Sequence, residues 1–292
     1  YISPDFMKEL TRDPDRLSLG GEIRDLTVMF TDIRNFTTIS ESMTPEELIN
    51  TMNDFLTPMS DVVMETRGTI DKYMGDAVMA FWNAPLDDEN HARHACQAAL
   101  TMQSVLDPIN AALKAKAEKE NRPYYELQAG IGINSGPCSV GNMGSKQRFA
   151  YSALGDAVNL ASRLEGQTKS YGLKLLVGEE TVKHIEDFAV IEVDRIQVKG
   201  KSEPVSIFTL LGGPDLAETE DFQILRERHM AMLNAYRKGA FQTALKELES
   251  ARAADVHGTL ADLYMVFELR IKTYIETPPP GDWDGVYVAT SK

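Results

Sequence analysis

"VMFTDIRNFTTIS", residues 28–40, carries an apolar run straight into a carboxylate, Asp32, and turns through Arg34 and Asn35 before a helical pattern begins. A strand apolar along its whole length reads as buried, and an acid at the end of such a strand needs a partner or a task. A second stretch, "TIDKYMGDAVMAFW" at 69–82, places apolar runs on both sides of Gly75-Asp76 and reads as a hairpin with a carboxylate at its turn. Taken singly, each acid reads as a turn residue, because Asp is common there. Together they supply hard oxygen ligands on rigid elements with open positions for substrate phosphates, as a two-metal site requires.

Between these stretches, "TPEE" predicts a helix start, with Thr44 as cap, Pro45 at the first helical position and Glu47 closing a capping box. Leu48, Met52, Phe55, Leu56, Met59 and Val63 keep the helical period up to Gly68, with Pro58 inside it. A long helix follows from about Glu89 to Lys119, and then a strand at "ELQAGIGI", residues 126–133. Gly, Ser, Pro and Asn crowd residues 134–145, which predicts an exposed arm. "RFAYSALGDAVNLASRLEG" then gives a strand, a Gly-Asp turn and a helix with Asn159 and Arg163 on one face. From Leu26 to about Leu211 short strands alternate with amphipathic helices, which is α/β or α+β and excludes a bundle or sandwich.

Upstream, residues 1–21 read as an entry helix or linker ending in a Gly20-Gly21 turn. Beyond Gly213 the pattern is helical to about residue 276, and Ala235 to Leu245 resembles part of a tetratricopeptide unit, which cannot bury its own face alone. Residues 277–292 begin with a run of prolines and read as an extended tail, with Trp283 and Tyr287 as anchors.

The chain of 292 residues is 43% hydrophobic and 25% charged, enough for a core and a second module. Its formal net charge of −14 argues against a nucleic-acid surface, so an anionic substrate must be met by local cations or metal ions. The two cysteines, Cys96 and Cys138, lack metal-ligand spacing and fit a reducing compartment. No run approaches the length of a membrane span, and the first residue is Tyr1, which leads us to expect a natural N-terminus further upstream.

"FTDIRNFT", "KYMGDAVMAFW", "GDAVNLASRLEG" and "VKGK" at 198–201 occur in the order of the motifs of class III nucleotidyl cyclases, and residues 22–212 resemble that family's catalytic domain. The resemblance implies an α+β, ferredoxin-like βαββαβ core with a C-terminal helical appendage at 213–276. It implies that ATP is converted to 3′,5′-cyclic AMP and pyrophosphate in intracellular signal transduction. Asp32 and Asp76, with the Ile33 carbonyl, would bind two Mg²⁺ or Mn²⁺ ions per site. Backbone amides at Asn35, Phe36 and Thr37 would cradle the terminal phosphates. The family usually has Gly at position 35, and Asn is the residue that best replaces it at positive φ. Asn159 would orient the ribose, Arg163 would stabilise charge on the α-phosphate, and Lys199 would hold the triphosphate.

Lys72 falls where the family reads the purine edge, and an ammonium can only donate, which suits adenine N1. Ser152 takes the second purine-facing position, where a hydroxyl both donates and accepts, so it admits adenine but rejects guanine weakly. A hydroxyl there also resembles a bacterial subgroup some of whose members respond to bicarbonate as an effector. The family implies a homodimer in which the metal acids of one subunit face the purine, ribose and phosphate residues of the other. "PPPGDWDGVYVATSK" resembles the C-terminus of bacterial cyclases with a membrane-bound sensor upstream, implying the cytoplasmic part of a membrane-anchored protein. Guanylate or mixed-purine cyclisation is the nearest alternative, and a nucleotide-binding scaffold the alternative of another class. A diguanylate cyclase is disfavoured by the lack of a GGDEF-like signature.

Overall fold

Strand β1 (Gly20–Ile33) is paired on both edges, and the N-terminal unit is built around it in a computed structural model that describes residues 20–145, 147–197, 203–281 and 283–288. The expected entry helix before Gly20 and the "VKGK" segment with Lys199 lie outside the described residues. The chain divides into two compact units, residues 1–165 and 166–292, taken separately below.

The first unit continues through α1 (Phe36–Glu41), α2 (Pro45–Glu65), β2 (Thr69–Met74), β3 (Ala77–Trp82), α3 (His91–Lys119), β4 (Ala129–Gly144), β5 (Phe149–Leu154) and α4 (Asp156–Tyr171), which carries the boundary between the units. Its strands run in the order β2-β3-β1-β4, with β5 added to β4, all antiparallel. This is the βαββαβ arrangement expected of the sequence.

From Leu26 onward β1 is largely apolar because both of its faces are covered. Leu26 and Val28 join Met79, Phe81, Cys138, Val140 and Ala153 under Ala157, Val158 and Ala161 of α4. On the alternate residues, Thr27 and Met29 are fully buried, and the Thr27 hydroxyl lies 2.7 Å from His91 Nδ1 and 2.7 Å from Ser135 Oγ. Helix α3 lies across β1, β3 and β4 and carries a row of buried alanines, Ala92, Ala95, Ala98 and Ala99. The α2 capping box forms as read: Glu47 N donates to Thr44 Oγ1 at 3.3 Å and Thr44 N to Glu47 Oε2 at 2.7 Å. Those bonds hold the Glu47 carboxyl below its usual range. Cys96 and Cys138 are free and buried.

Two readings are corrected. Gly20 and Gly21 do not turn; they open β1, paired with Asn142 and Gly141. Residues 134–144 are no exposed arm, because β4 runs unbroken to Gly144 and pairs with β1 from Ile33↔Ala129 to Gly20↔Asn142. Small side chains at Ser135, Gly136 and Gly141 suit a strand that is covered, and Asn134, Ser135 and Asn142 are buried.

Gly132 of β4 sets how closely α4 can approach. A Cβ there would stand 2.2 Å from the backbone nitrogen of Glu165 and 2.3 Å from the carbonyl oxygen of Ala161, so the helix backbone rests directly on the strand. Neither contact atom can swing away as a side-chain tip would.

In the second unit, β6 (Leu175–Gly178), α5 (Glu179–Val182), β7 (Ala189–Gln197) and β8 (Val205–Gly212) precede α6 (Pro214–Ala217), α7 (Glu220–Arg237), α8 (Phe241–Ala254), α9 (Ala261–Glu276) and β9 (Tyr287–Val288). Its strands lie in the order β6-β8-β7-β9. The helical stripes find their partner in β7: α7 packs against it, and His229 Nε2 lies 2.7 Å from the Glu192 carbonyl. The tail anchors as read. Trp283 packs edge-on to Tyr236 at 5.2 Å, and the Tyr287 ring lies 3.4 Å from the Arg270 guanidinium.

Two outcomes are expected. Gly132→Ala should cost about 2 kcal/mol or more, read as a lower denaturant midpoint, because backbone must move to admit the methyl. Burial lowers the His229 imidazole from 6.5 to about 4, so its neutral form contributes stability above pH 6.5 that is lost as pH falls towards 4. The loss is at most about 3 kcal/mol. Unfolding midpoints across that window should show it, and His229→Gln should flatten the dependence.

Candidate active site

The end of β1 brings the two sequence-marked acids together. Asp32 pairs across to Gly130 on one side, while Thr31↔Val78 on the other places the β2–β3 turn beside it. Gly75 makes that turn possible with φ of 69°, a conformation open to glycine, and Asp76 follows it. Asp76 Oδ2 accepts a hydrogen bond from the Ile33 backbone nitrogen at 3.2 Å.

Asp76 is raised from 3.8 to about 7, first by burial and then by the hydrogen bond and negative charge of Asp32. Burial and the neighbouring carboxyl both oppose the negative charge on Asp76, and a cation beside it would relieve them. Among the described residues no group of three or more His, Cys, Asp or Glu could hold a metal ion. Two carboxylates and a nearby backbone carbonyl leave most of a coordination shell to water and substrate. That donor set fits Mg²⁺ or Mn²⁺, which bind nucleotide phosphates through one or two protein carboxylates.

Past Ile33, Asn35 takes φ 56° and ψ 28° at the entry to α1, so the Asn in the usual glycine position adopts the left-handed conformation for which it is suited. Phe36 and Thr37 form the first turn of that helix, and Asn35 makes no side-chain cap bond to it.

A second cluster lies between β2 and β5. Lys72 Nζ donates to Ser152 Oγ at 3.3 Å, so the two residues assigned to the purine edge meet in one chain. Both also meet Asp71, which the sequence reading passed over. Ser152 Oγ donates to Asp71 Oδ2 at 2.7 Å, and the Ala153 backbone nitrogen donates to the same oxygen at 3.2 Å. Lys72 Nζ forms an ion pair with Asp71 Oδ1 at 3.1 Å, outside hydrogen-bond alignment, leaving Oδ1 without a donor of its own. Strict alternation would send Asp71 and Lys72 to opposite faces. The ladder slips between Ile70 and Lys72, a bulge that lets successive side chains serve one corner.

Asn159 and Arg163 share the face of α4 that their spacing implies. Asn159 is exposed, whereas the partly buried Arg163 has Nη1 enclosed with no hydrogen-bond partner among the described residues. A buried guanidinium nitrogen without an acceptor is costly unless a ligand completes it.

Residues 21–212 match the family model for the adenylate and guanylate cyclase catalytic domain. Among curated proteins, the chain is 39% identical over 190 residues to adenylate cyclase 1 of Rhizobium meliloti, covering 65% of this chain and 28% of that protein. It is also 39% identical over 193 residues to an adenylate cyclase of Anabaena cylindrica, covering 65% of this chain and 37% of that protein. It therefore spans little more than a third of these relatives at most. Among solved structures, the adenylyl cyclase CyaB of P. aeruginosa aligns with a TM-score of 0.61 at 33% identity, over 67% of this chain and 97% of that one. The guanylyl cyclase Cya2 aligns with a TM-score of 0.59 at 32% identity, over 67% of this chain and 95% of that one.

The carboxyl repulsion has a measurable consequence. In metal-free buffer Asp76→Asn, which keeps an acceptor for Ile33, should raise the melting temperature by about 2–4 °C. Mn²⁺ added alone should stabilise the wild-type chain and leave the variant unmoved, as followed by calorimetry.

Proposed function

The chain belongs to the adenylate and guanylate cyclase catalytic domain family, and from that membership we propose that it forms 3′,5′-cyclic AMP and pyrophosphate from ATP. The observation that carries the reading is the like-charged Asp32–Asp76 pair at adjoining strand ends, an arrangement suited to cations that bind a polyphosphate. Two Mg²⁺ or Mn²⁺ ions held by Asp32, Asp76 and the Ile33 carbonyl would supply Lewis acidity towards the ribose 3′-hydroxyl and the phosphates.

The ribose 3′-hydroxyl gives up its proton to solvent water and its oxygen attacks the α-phosphorus in line, the bond to the β-phosphate oxygen breaking and pyrophosphate leaving as the new ester bond forms. Arg163 donates to the α-phosphate oxygens as their charge grows, which supplies its enclosed Nη1 with an acceptor. Asn159 holds the ribose. Lys199 and the backbone amides of Asn35, Phe36 and Thr37 hold the triphosphate. Lys72 donates to adenine N1, and Ser152 contacts the exocyclic amino group.

The site is shared between two copies of the chain, with Asp32 and Asp76 from one facing Lys72, Ser152, Asn159 and Arg163 from the other. Residues 22–212 form the catalytic domain and 213–276 a helical appendage, in a longer protein whose upstream sensor governs this output. Among the described residues, no helix is long and apolar enough to cross a membrane. Guanylate cyclisation is the second reading, favoured by the likeness to Cya2 and by the two-way chemistry of a hydroxyl at Ser152.

Purified chain with Mn²⁺ should make cyclic AMP from ATP in preference to cyclic GMP from GTP, as resolved by chromatography. Cyclic GMP as the main product would replace this reading with the second. Arg163→Ala should lower kcat by about 100-fold. For sharing between chains, Lys72→Ala and Asp76→Ala should each be inactive alone. Mixed, they should recover about a quarter of wild-type activity if subunits exchange at random in a two-fold dimer. Exchange without recovery would exclude shared sites.

A further inference from the structure

Ser152 is ambiguous as a reader of purines only while its hydroxyl is free to turn, and in this structure it is not. We propose that Asp71 determines base preference by accepting the hydrogen bond of the Ser152 hydroxyl, which leaves the serine oxygen an acceptor towards the ligand and so selects adenine over guanine. The inference rests on the reading of Lys72 and Ser152 as the purine-facing residues.

A carboxylate accepts and cannot donate, whereas a serine hydroxyl has one proton and two lone pairs. Asp71 has a side chain fully removed from solvent and meets two donors, the Ser152 hydroxyl at 2.7 Å and the Ala153 backbone N–H at 3.2 Å, with the Lys72 ammonium 3.1 Å away as an ion pair. Its polarity is fixed by that company, and the single Ser152 proton is committed to it. Of the two serine lone pairs, one receives Lys72 Nζ at 3.3 Å. The other is left for a donor on the ligand.

Adenine presents such a donor in its N6 amino group, next to an N1 acceptor for the ammonium. Guanine presents O6, which would face the serine oxygen acceptor to acceptor, and an N1–H facing the ammonium. Rejection of guanine is thus built from two unpaired contacts, a stronger discrimination than a missing bond. Asp71 touches no part of the nucleotide in this scheme and acts as a positioning residue. The ion pair lies outside hydrogen-bond alignment, so the ammonium is held near by charge, and the N–H bonds not given to Ser152 stay free to aim at N1.

The test measures kcat/KM for ATP and GTP on the full chain with Mn²⁺, in wild type, Asp71→Asn and Ser152→Ala. An Asn at 71 can donate to Ser152 through its amide, freeing the hydroxyl proton to meet O6, so the GTP/ATP ratio should rise by about tenfold or more. Ser152→Ala removes the opposing oxygen, and the ratio should rise there too, whereas loss of a freely turning hydroxyl would leave it near the wild-type value. Circular dichroism checks that each variant is folded. A wild-type ratio in Ser152→Ala, or in folded Asp71→Asn, overturns the inference while wild-type preference for ATP keeps the proposed function. Wild type that cyclises neither nucleotide, or prefers GTP, overturns the proposed function itself, and this inference with it.

Discussion

Two carboxyl groups of like charge, held together at the ends of neighbouring strands, are the constraint around which the N-terminal unit is organised. Burial and their mutual repulsion work against the charge of the pair, and Asp76 carries both as a raised affinity for protons. What holds them is β1, locked along its full length to β4 and over its second half to β3. Apolar burial on both faces of β1 keeps the strand from yielding at the end where the acids meet. A floppier strand end would relax the pair into solvent and lose the charge density that attracts cations.

The groups assigned to substrate sit on equally stiff supports. Asn159 and Arg163 ride on a helix whose backbone touches β4 at Gly132 with no side chain between. Lys72 and Ser152 project from two strands tied to each other through Asp71. Catalysis that depends on in-line geometry is sensitive to displacements of about 1 Å, and contacts between backbones leave little room for them.

Where local chemistry decides, the sequence was legible. The Thr44–Glu47 box, the Gly75-Asp76 hairpin and the left-handed Asn35 each follow from a few adjacent residues, and each is present. Residues 134–144 were misread because Gly, Ser and Pro signal a turn only when no partner strand is at hand, and β1 supplies one as far as Asn142 and β5 beyond it. Asp71 was invisible for a different reason. Its role depends on a slip in the β2–β3 ladder and on a serine some eighty positions away in sequence, and neither leaves a mark in the residues around it. The meeting of Asp32 and Asp76 was suggested by type and position, while their contact required the sheet order.

The bulge in β2 makes that strand a ruler. Between the slip at Ile70 and Lys72 and the turn at Gly75, each residue has its assigned face, with Lys72 opposite Met79 and Met74 opposite Ala77. Losing one residue would restore simple alternation and return Asp71 and Lys72 to opposite faces, while drawing Asp76 away from the end of β1. Gaining one would do the reverse damage at the turn. Homologous chains that keep the Lys72 corner and the acid pair should therefore vary freely in residue identity at Met74, which is exposed, yet hold the length of this segment constant.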